Sequence, residues 1–226
     1  MANYFLLTLD TTGPQSPAIS LESGAQYATQ QLINADISTA DGDTTGYQMK
    51  IWGDVDLTEN PNIQDTELNS TWITYAATQQ IKLSTGDGAK TVYLKIRDDV
   101  LNESAQTSDS ITLDTSLPVV TISGPDVSKI SKIATANVSS FSFTVNEIFD
   151  EYKVKVVAST GAAHDTGTQI GTANGSTNMS GIAGDYPAAT AINCQVYGSD
   201  LELASAGDGE KIVKIFAKDQ SGAWSV

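Results

Sequence analysis

The sequence predicts an all-β protein built as two tandem antiparallel β-sandwiches. Three observations predict it. The stretch "GDGAKTVYLKIRDD" at residues 86–99 returns as "GDGEKIVKIFAKDQ" at 207–220. Apolar and polar residues alternate with period two inside each copy, the mark of a half-buried strand in an antiparallel sheet. No segment sustains a helical period, whereas short alternating runs separated by polar turns recur along the chain.

The elements follow in order. "NYFLLTLD" (3–10) alternates and predicts a first strand. It opens an anchor, "LTLDTTGP" (7–14), that is matched 104 positions later by "ITLDTSLP" (111–118). "YQMKIWG" (47–53) predicts a strand with Tyr47, Met49 and Ile51 on one face, and "YKVKVVA" (152–158) repeats it 105 positions on. In 92–97, Val92, Leu94 and Ile96 alternate with Tyr93, Lys95 and Arg97; 121 positions later Val213, Ile215 and Ala217 alternate with Lys214, Phe216 and Lys218. Gly-Asp-Gly before each copy supplies the positive φ angles of a tight turn. "SDSITLD" (108–114) predicts the last strand of the first module. The rise in offset from 105 to 121 places an insertion of 16 residues in the second module, within about 160–191. The division is therefore residues 1–14 as an N-terminal strand, 15–116 as module one and 117–226 as module two.

Composition bounds the function. The chain of 226 residues is long enough for two ordinary domains, and 40% hydrophobic with 17% charged residues fits a folded chain. A net charge of −15, from 27 acidic and 12 basic residues, excludes a nucleic-acid reader, which needs a basic surface to displace counterions. Cys194 is the single cysteine, so no disulfide forms within the chain, and it reads as a small buried apolar residue. His164 is the single histidine and lies in a polar run without a neighbouring cysteine, which gives a transition-metal site no support. The opening "MANYFLLTLDTTGP" has no basic start and too short an apolar run for a signal peptide, and nothing later is long enough for a membrane span. No membrane insertion is expected.

"GDGAKTVYLKIRDDVLNES", followed by "SITLDTSLP", resembles the Ig-like modules repeated in bacteriophage tail, fibre and head-decoration proteins and in bacterial surface proteins. Their pattern runs Asp-Gly-x-Lys-Thr-Val-Tyr, then Lys/Arg-x-Arg-Asp, then Gly-Asn-x-Ser, then a Leu-Asp-Thr-x-x-Pro join. Module one departs from it at Leu101, where the pattern has Gly; module two keeps Gly207, Asp208, Gly209, Lys211, Asp219, Gly222 and Ser225, with Trp224 near its end. The resemblance implies two tandem Ig-like sandwiches and a non-enzymatic structural component of a virion, in tail, baseplate, neck or capsid surface. Its implied partners are other virion proteins and further copies of itself in a symmetric assembly. The alternative is a glycan- or surface-binding adhesin module of a bacterial surface protein.

Counting strands exposes an asymmetry. Residues 3–10 match the last strand of module one, yet they stand ahead of it; module two reaches Ser225, the counterpart of Ser104, with no counterpart of Leu113. A sandwich without its last strand exposes an apolar groove and unpaired backbone, a template for strand addition. Residues 3–10 dock either on a neighbour's sheet edge or on module one of their own chain, in which case module two keeps a short edge; the expected docking residues are Tyr4, Phe5, Leu7 and Leu9 at the front and Trp224 at the rear, with Met179 and Tyr186 of the insertion as loop contacts.

Chemistry has little foothold. A Ser/His/Asp arrangement would need His164, which no motif surrounds. Carboxylate pairs such as Asp41/Asp43 and Asp98/Asp99 read as turn residues, and no cofactor is expected. Calcium is the one ligand the composition keeps open: Asp10, Asp54, Asp56 and Asp114 also fall near turns or module joins, although the EF-hand spacing is not met. Trp52 and Trp72 read as packing residues rather than a sugar platform.

Overall fold

The computed structural model describes residues 5–182 and 184–226, so Tyr4 lies outside the described residues. The chain divides into two compact units, Met1–Thr115 and Ser116–Val226. Both are Ig-like β-sandwiches.

Module one contains β1 (Ala18–Leu21), β2 (Tyr27–Ala28), β3 (Leu32–Ser38), β4 (Gln48–Gly53), β5 (Ile73–Thr74), β6 (Thr78–Lys82), β7 (Gly88–Arg97) and β8 (Thr107–Leu113). One sheet has the order β1-β3-β6 and the other β2-β8-β7-β4-β5, antiparallel except where β2 runs parallel to β8. The alternation predicted from sequence is the burial pattern. Met49, Ile51, Val92, Leu94 and Ile96 point between the sheets and are fully buried, against Leu21 and Ile81 from the facing sheet. Burying side chains of this size stabilises by about 1.5–3 kcal/mol each, which makes the core the main source of stability in a chain without disulfides.

Module two contains β9 (Val120–Ser123), β10 (Val138–Val145), β11 (Phe149–Val157), β12 (Thr168–Gln169), β13 (Ser180–Gly181), β14 (Ile192–Tyr197), a short helix α1 (Gly198–Ala204) and β15 (Ile212–Asp219). The first sheet has the order β9-β10-β14. In the second, β15 pairs with β11 along nearly its full length, from Val157↔Ile212 to Phe149↔Asp219. β12 and β13 add to β11 at Lys155↔Gln169 and Tyr152↔Gly181 and so share its other edge. Phe143, Phe149, Tyr152 and Val154 form the centre of the core.

The turn before β7 and that before β15 are built alike: Gly86 and Gly88 have φ of 85° and 124°, Gly207 and Gly209 have 84° and 126°. The turn after each strand also repeats. Asp98 Oδ1 accepts the Asn102 N–H at 2.8 Å, and Asp219 Oδ1 accepts the Ala223 N–H at 2.8 Å. Ser104 Oγ and Ser225 Oγ each accept a strand N–H, from Ile96 and Ala217, at 3.0 Å. Leu101 takes the left-handed conformation (φ 72°) that Gly222 takes in module two (φ 94°). The glycine missing from the sequence pattern is therefore replaced by a residue that adopts the glycine conformation under strain.

Two features of module two correct the sequence reading. A helix exists: Leu201 and Ala204 pack on the core, but seven residues are too few to show a period. It adds length outside 160–191, since nine residues separate Tyr197 from Gly207 where three separate Lys82 from Gly86. Among the described residues α1 is the one α-helix, and no helix is long and apolar enough to cross a membrane.

Candidate docking site at the open edge of module two

In module one, β7 is flanked on both sides. β4 pairs with it from Gln48↔Arg97 to Gly53↔Val92, and β8 from Gly88↔Leu113 to Leu94↔Thr107. β8 brings Ile111 and Leu113 down over the core, where they are 2% and 1% exposed. Its far side is held by Thr112 N–H to Gln26 O at 3.0 Å and Asp114 N–H to Ala28 O at 2.9 Å.

In module two, β15 is flanked by β11 alone among the described residues. On the opposite edge one isolated bridge, Lys218↔Trp224, closes the end of the strand, as Arg97↔Glu103 does in module one. Ala217 N–H points to this edge, toward Ser225 Oγ. By the two-residue period of a strand, Ile215 and Val213 direct their backbone groups to the same edge. The outline of a missing strand is left beside them: a groove of about 830 Å³ floored by Phe141, Val196, Val213 and Ile215, with Ile122 and Ile130 on its walls. Val92, on the strand that β8 flanks, is fully buried, whereas its counterpart Val213 is only half-buried. Lys90 is buried, and its Nζ donates to Ser84 Oγ at 3.0 Å; its counterpart Lys211 is half-buried and donates to Ala206 O at 3.3 Å.

The N-terminal segment gives the reverse picture. The expected strand at 3–10 is not a strand in its described part: residues 5–14 join no sheet. The reason is positional. β8 already holds the edge of β7 in module one, so that edge has no room for a second strand of the same sequence pattern. Phe5, Leu7 and Leu9 are left 84%, 85% and 86% exposed. Asp10 caps its own turn by accepting the Thr12 N–H, and its carbonyl accepts from Asn102 Nδ2 at 3.4 Å. With Leu6 at 90%, four large apolar side chains of this short segment stand in water, which is unusual for a protein surface.

The remaining predicted residues are placed differently. Trp224 lies at the end of β15 with His164 stacked on it, ring centroids 4.6 Å apart, and Lys153 Nζ 4.3 Å from its centre. Met179 is 1% exposed and belongs to the core, so it presents no contact surface. Tyr186 stacks on Phe149 at 4.9 Å and meets Tyr152 edge-on at 5.4 Å. The insertion is thus a built part of the module. Lys155 Nζ donates to His164 O at 2.9 Å, and Lys214 Nζ donates to Thr160 O and Ala162 O at 2.8 and 2.9 Å, so its first part is tied over the outer face of β11 and β15. No sequence signal separates such a tied loop from a free one.

Sequence reasoning also missed Asp200. It is fully buried in the first turn of α1 and accepts the N–H groups of Asn174 (2.9 Å) and Ser176 (3.0 Å) and the side-chain amide of Asn174 (2.9 Å). Burial pushes its carboxyl up, but these donors outweigh burial and hold it below the usual carboxylate range. The helix and the 174–176 loop are thereby fixed at the foot of β14.

Several of the turn carboxylates considered for calcium already accept hydrogen bonds from protein groups. Asp56 accepts the Thr58 hydroxyl and N–H and pairs with Lys82, which holds it near 2; Asp54 accepts the Thr91 N–H at 2.8 Å; Asp43 accepts the Thr45 N–H at 2.9 Å. Trp52 stacks on Tyr93 at 5.7 Å and is 6% exposed, while Trp72 carries Lys50 and Arg97 over its ring at 4.8 and 4.4 Å. Their aromatic faces are already occupied.

No protein-family model matches the chain, and no curated relative matches it. Among solved structures it is similar to the fibronectin(III)-like modules of CbhA from Clostridium thermocellum, at 12% identity over 92% of this chain and 90% of that one, with a TM-score of 0.42. It is similar to the D00–D0 domain of intimin, at 11% identity over 91% and 95% of the two chains, with a TM-score of 0.32. The chitinase ChiA74 from Bacillus thuringiensis matches at 14% identity and a TM-score of 0.31; the match spans 92% of this chain but 30% of the chitinase. The Ig-like assignment of both modules rests on strand order and register.

Proposed function

We propose that this chain is a non-enzymatic structural protein that acts by docking, as a multi-copy component of a bacteriophage virion. The observation that carries the docking is the free edge of β15, with its apolar groove, in a module whose twin has that position filled. An unpaired strand edge beside an apolar groove is the feature that strand-accepting proteins use to bind an extended segment: main-chain hydrogen bonds supply affinity, and pockets for alternate side chains supply register. The motif resemblance of "GDGAKTVYLKIRDD" and "ITLDTSLP" to phage modules supports the virion setting. The glycan-binding alternative is less favoured, because Trp52, Trp72, Tyr186 and Trp224 each carry another side chain against a ring face.

Mass spectrometry of purified virions tests the reading. The chain is expected in several copies per particle, retained after a salt wash. Recovery of the chain only from the soluble fraction of the lysate, with none in particles, overturns it.

A further inference from the structure

We infer that the outer face of β4 and β7 in module one, around Lys50, Trp72 and Arg97, is a docking site for an extended acidic segment of a partner protein. The site belongs to module one alone and is independent of the groove in module two.

The cations of this face have no anion of their own. Alternation sends Met49, Ile51 and Ile96 into the core, so Lys50 and Arg97 stand on the outer side, half-buried. Both reach over the ring of Trp72, just ahead of β5: Lys50 Nζ lies 4.8 Å and Arg97 Cζ 4.4 Å from its centre. Among the described residues neither forms an ion pair, although acidic residues outnumber basic ones by 27 to 12. Lys95 between them is answered by Glu67 at 2.7 Å and Glu103 at 3.5 Å. Arg97 Nε donates to Gln48 Oε1 at 2.7 Å, a neutral acceptor that orients the guanidinium and leaves its charge unmatched.

Module two answers the same two positions from within the chain. The counterpart of Lys50 is Lys155, whose Nζ donates to His164 O at 2.9 Å. The counterpart of Arg97 is Lys218, whose Nζ meets Glu151 Oε2 at 3.3 Å. Beside them Lys214 donates to Thr160 O and Ala162 O. The insertion thus supplies main-chain oxygens to this face, and Glu151 supplies a carboxylate. Module one has neither, since it lacks the insertion and has Gly46 where module two has Glu151. What residues 160–164 and Glu151 do for module two, a partner's segment does for module one. Its carbonyl groups accept from Lys50, and an Asp or Glu side chain meets the Arg97 fork, whose planar geometry matches a carboxylate. The acceptors seen in module two are those of a peptide, which makes the occupant a protein segment. A net charge of −15 opposes the denser charge of a nucleic-acid strand.

Titration of the full-length chain with a short poly-aspartate peptide, followed by NMR of the Arg97 Nε–H and the Trp72 indole N–H, tests the inference. Both signals are expected to shift, with an affinity that falls as salt is added. The double variant Lys50→Gln, Arg97→Gln loses two charge-assisted contacts and is expected to bind at least about ten-fold more weakly, while remaining folded by circular dichroism. Lys50→Gln alone keeps the bond from Arg97 to Gln48 and decides the matter if the double variant does not fold. Lys129→Gln, at an exposed lysine of module two, is expected to bind like the parent. Unshifted signals, unchanged affinity in the Lys50 and Arg97 variants, an equal loss in Lys129→Gln, or equally tight binding of poly-asparagine or single-stranded DNA overturns the inference. None of these results touches the open edge of β15, so this inference and the docking reading above fail separately.

Discussion

β7 and β15 are the same strand twice, yet one lies inside a sheet and the other lies at its rim. They share the Gly-Asp-Gly turn before them, the Asp-centred turn after them and the alternation between. They differ in their neighbour: β8 pairs with β7 beside the fully buried Val92, whereas among the described residues no strand pairs with β15 beside the half-buried Val213. The difference teaches that a sandwich can keep its core and both sheets while leaving one strand position open.

The largest test of this comparison is a charge placed at the two equivalent sites. Val92→Asp buries a carboxylate under β8 and is expected to destabilise module one by about 4 kcal/mol or more, abolishing its unfolding transition in calorimetry. Val213→Asp at the half-buried site is expected to cost module two about 1 kcal/mol in the dilute chain. Equal losses would mean that the groove is already filled.

The buried carboxylate that only module two possesses comes next. Asp200→Ala strands the Asn174 and Ser176 N–H groups and is expected to cost about 2–4 kcal/mol, read by urea unfolding of module two. Its carboxyl is held below the ordinary value near 3.8, so its contribution is fully present above that value and is lost as pH falls through its lower folded value. Acid unfolding of module two should therefore shift to higher pH in the Asp200→Asn variant, with little change in module one.

The strained turn gives a smaller, reciprocal pair. Leu101→Gly relieves a left-handed leucine and is expected to stabilise module one by about 0.5–1 kcal/mol, while Gly222→Leu costs module two about 1 kcal/mol. The smallest effect on folding belongs to the free segment. Leu7→Asp with Leu9→Asp is expected to leave both unfolding transitions within about 0.5 kcal/mol.

The sequence displays most of the strands because alternation is a local property: Met49, Ile51, Val92, Leu94, Val154 and Ile215 all face the cores as their spacing predicts. What could not be read is relational. "NYFLLTLD" has the pattern of a strand, but pairing requires an unoccupied edge, and residues 5–10 have none within module one. Met179 and Tyr186 sit in a polar run that looks like an exposed loop, yet β11 draws both into packing. Asp200 resembles any helix-start acid until the 174–176 loop closes over it.

Amide hydrogen exchange at Val213 and Ile215, followed as a function of protein concentration, tests the central claim most directly. The account predicts fast exchange at both positions in the dilute chain, while Val92 and Leu94 stay protected at every concentration. Protection of Val213 and Ile215 at every concentration, equal to that of Val92 and Leu94, would contradict it.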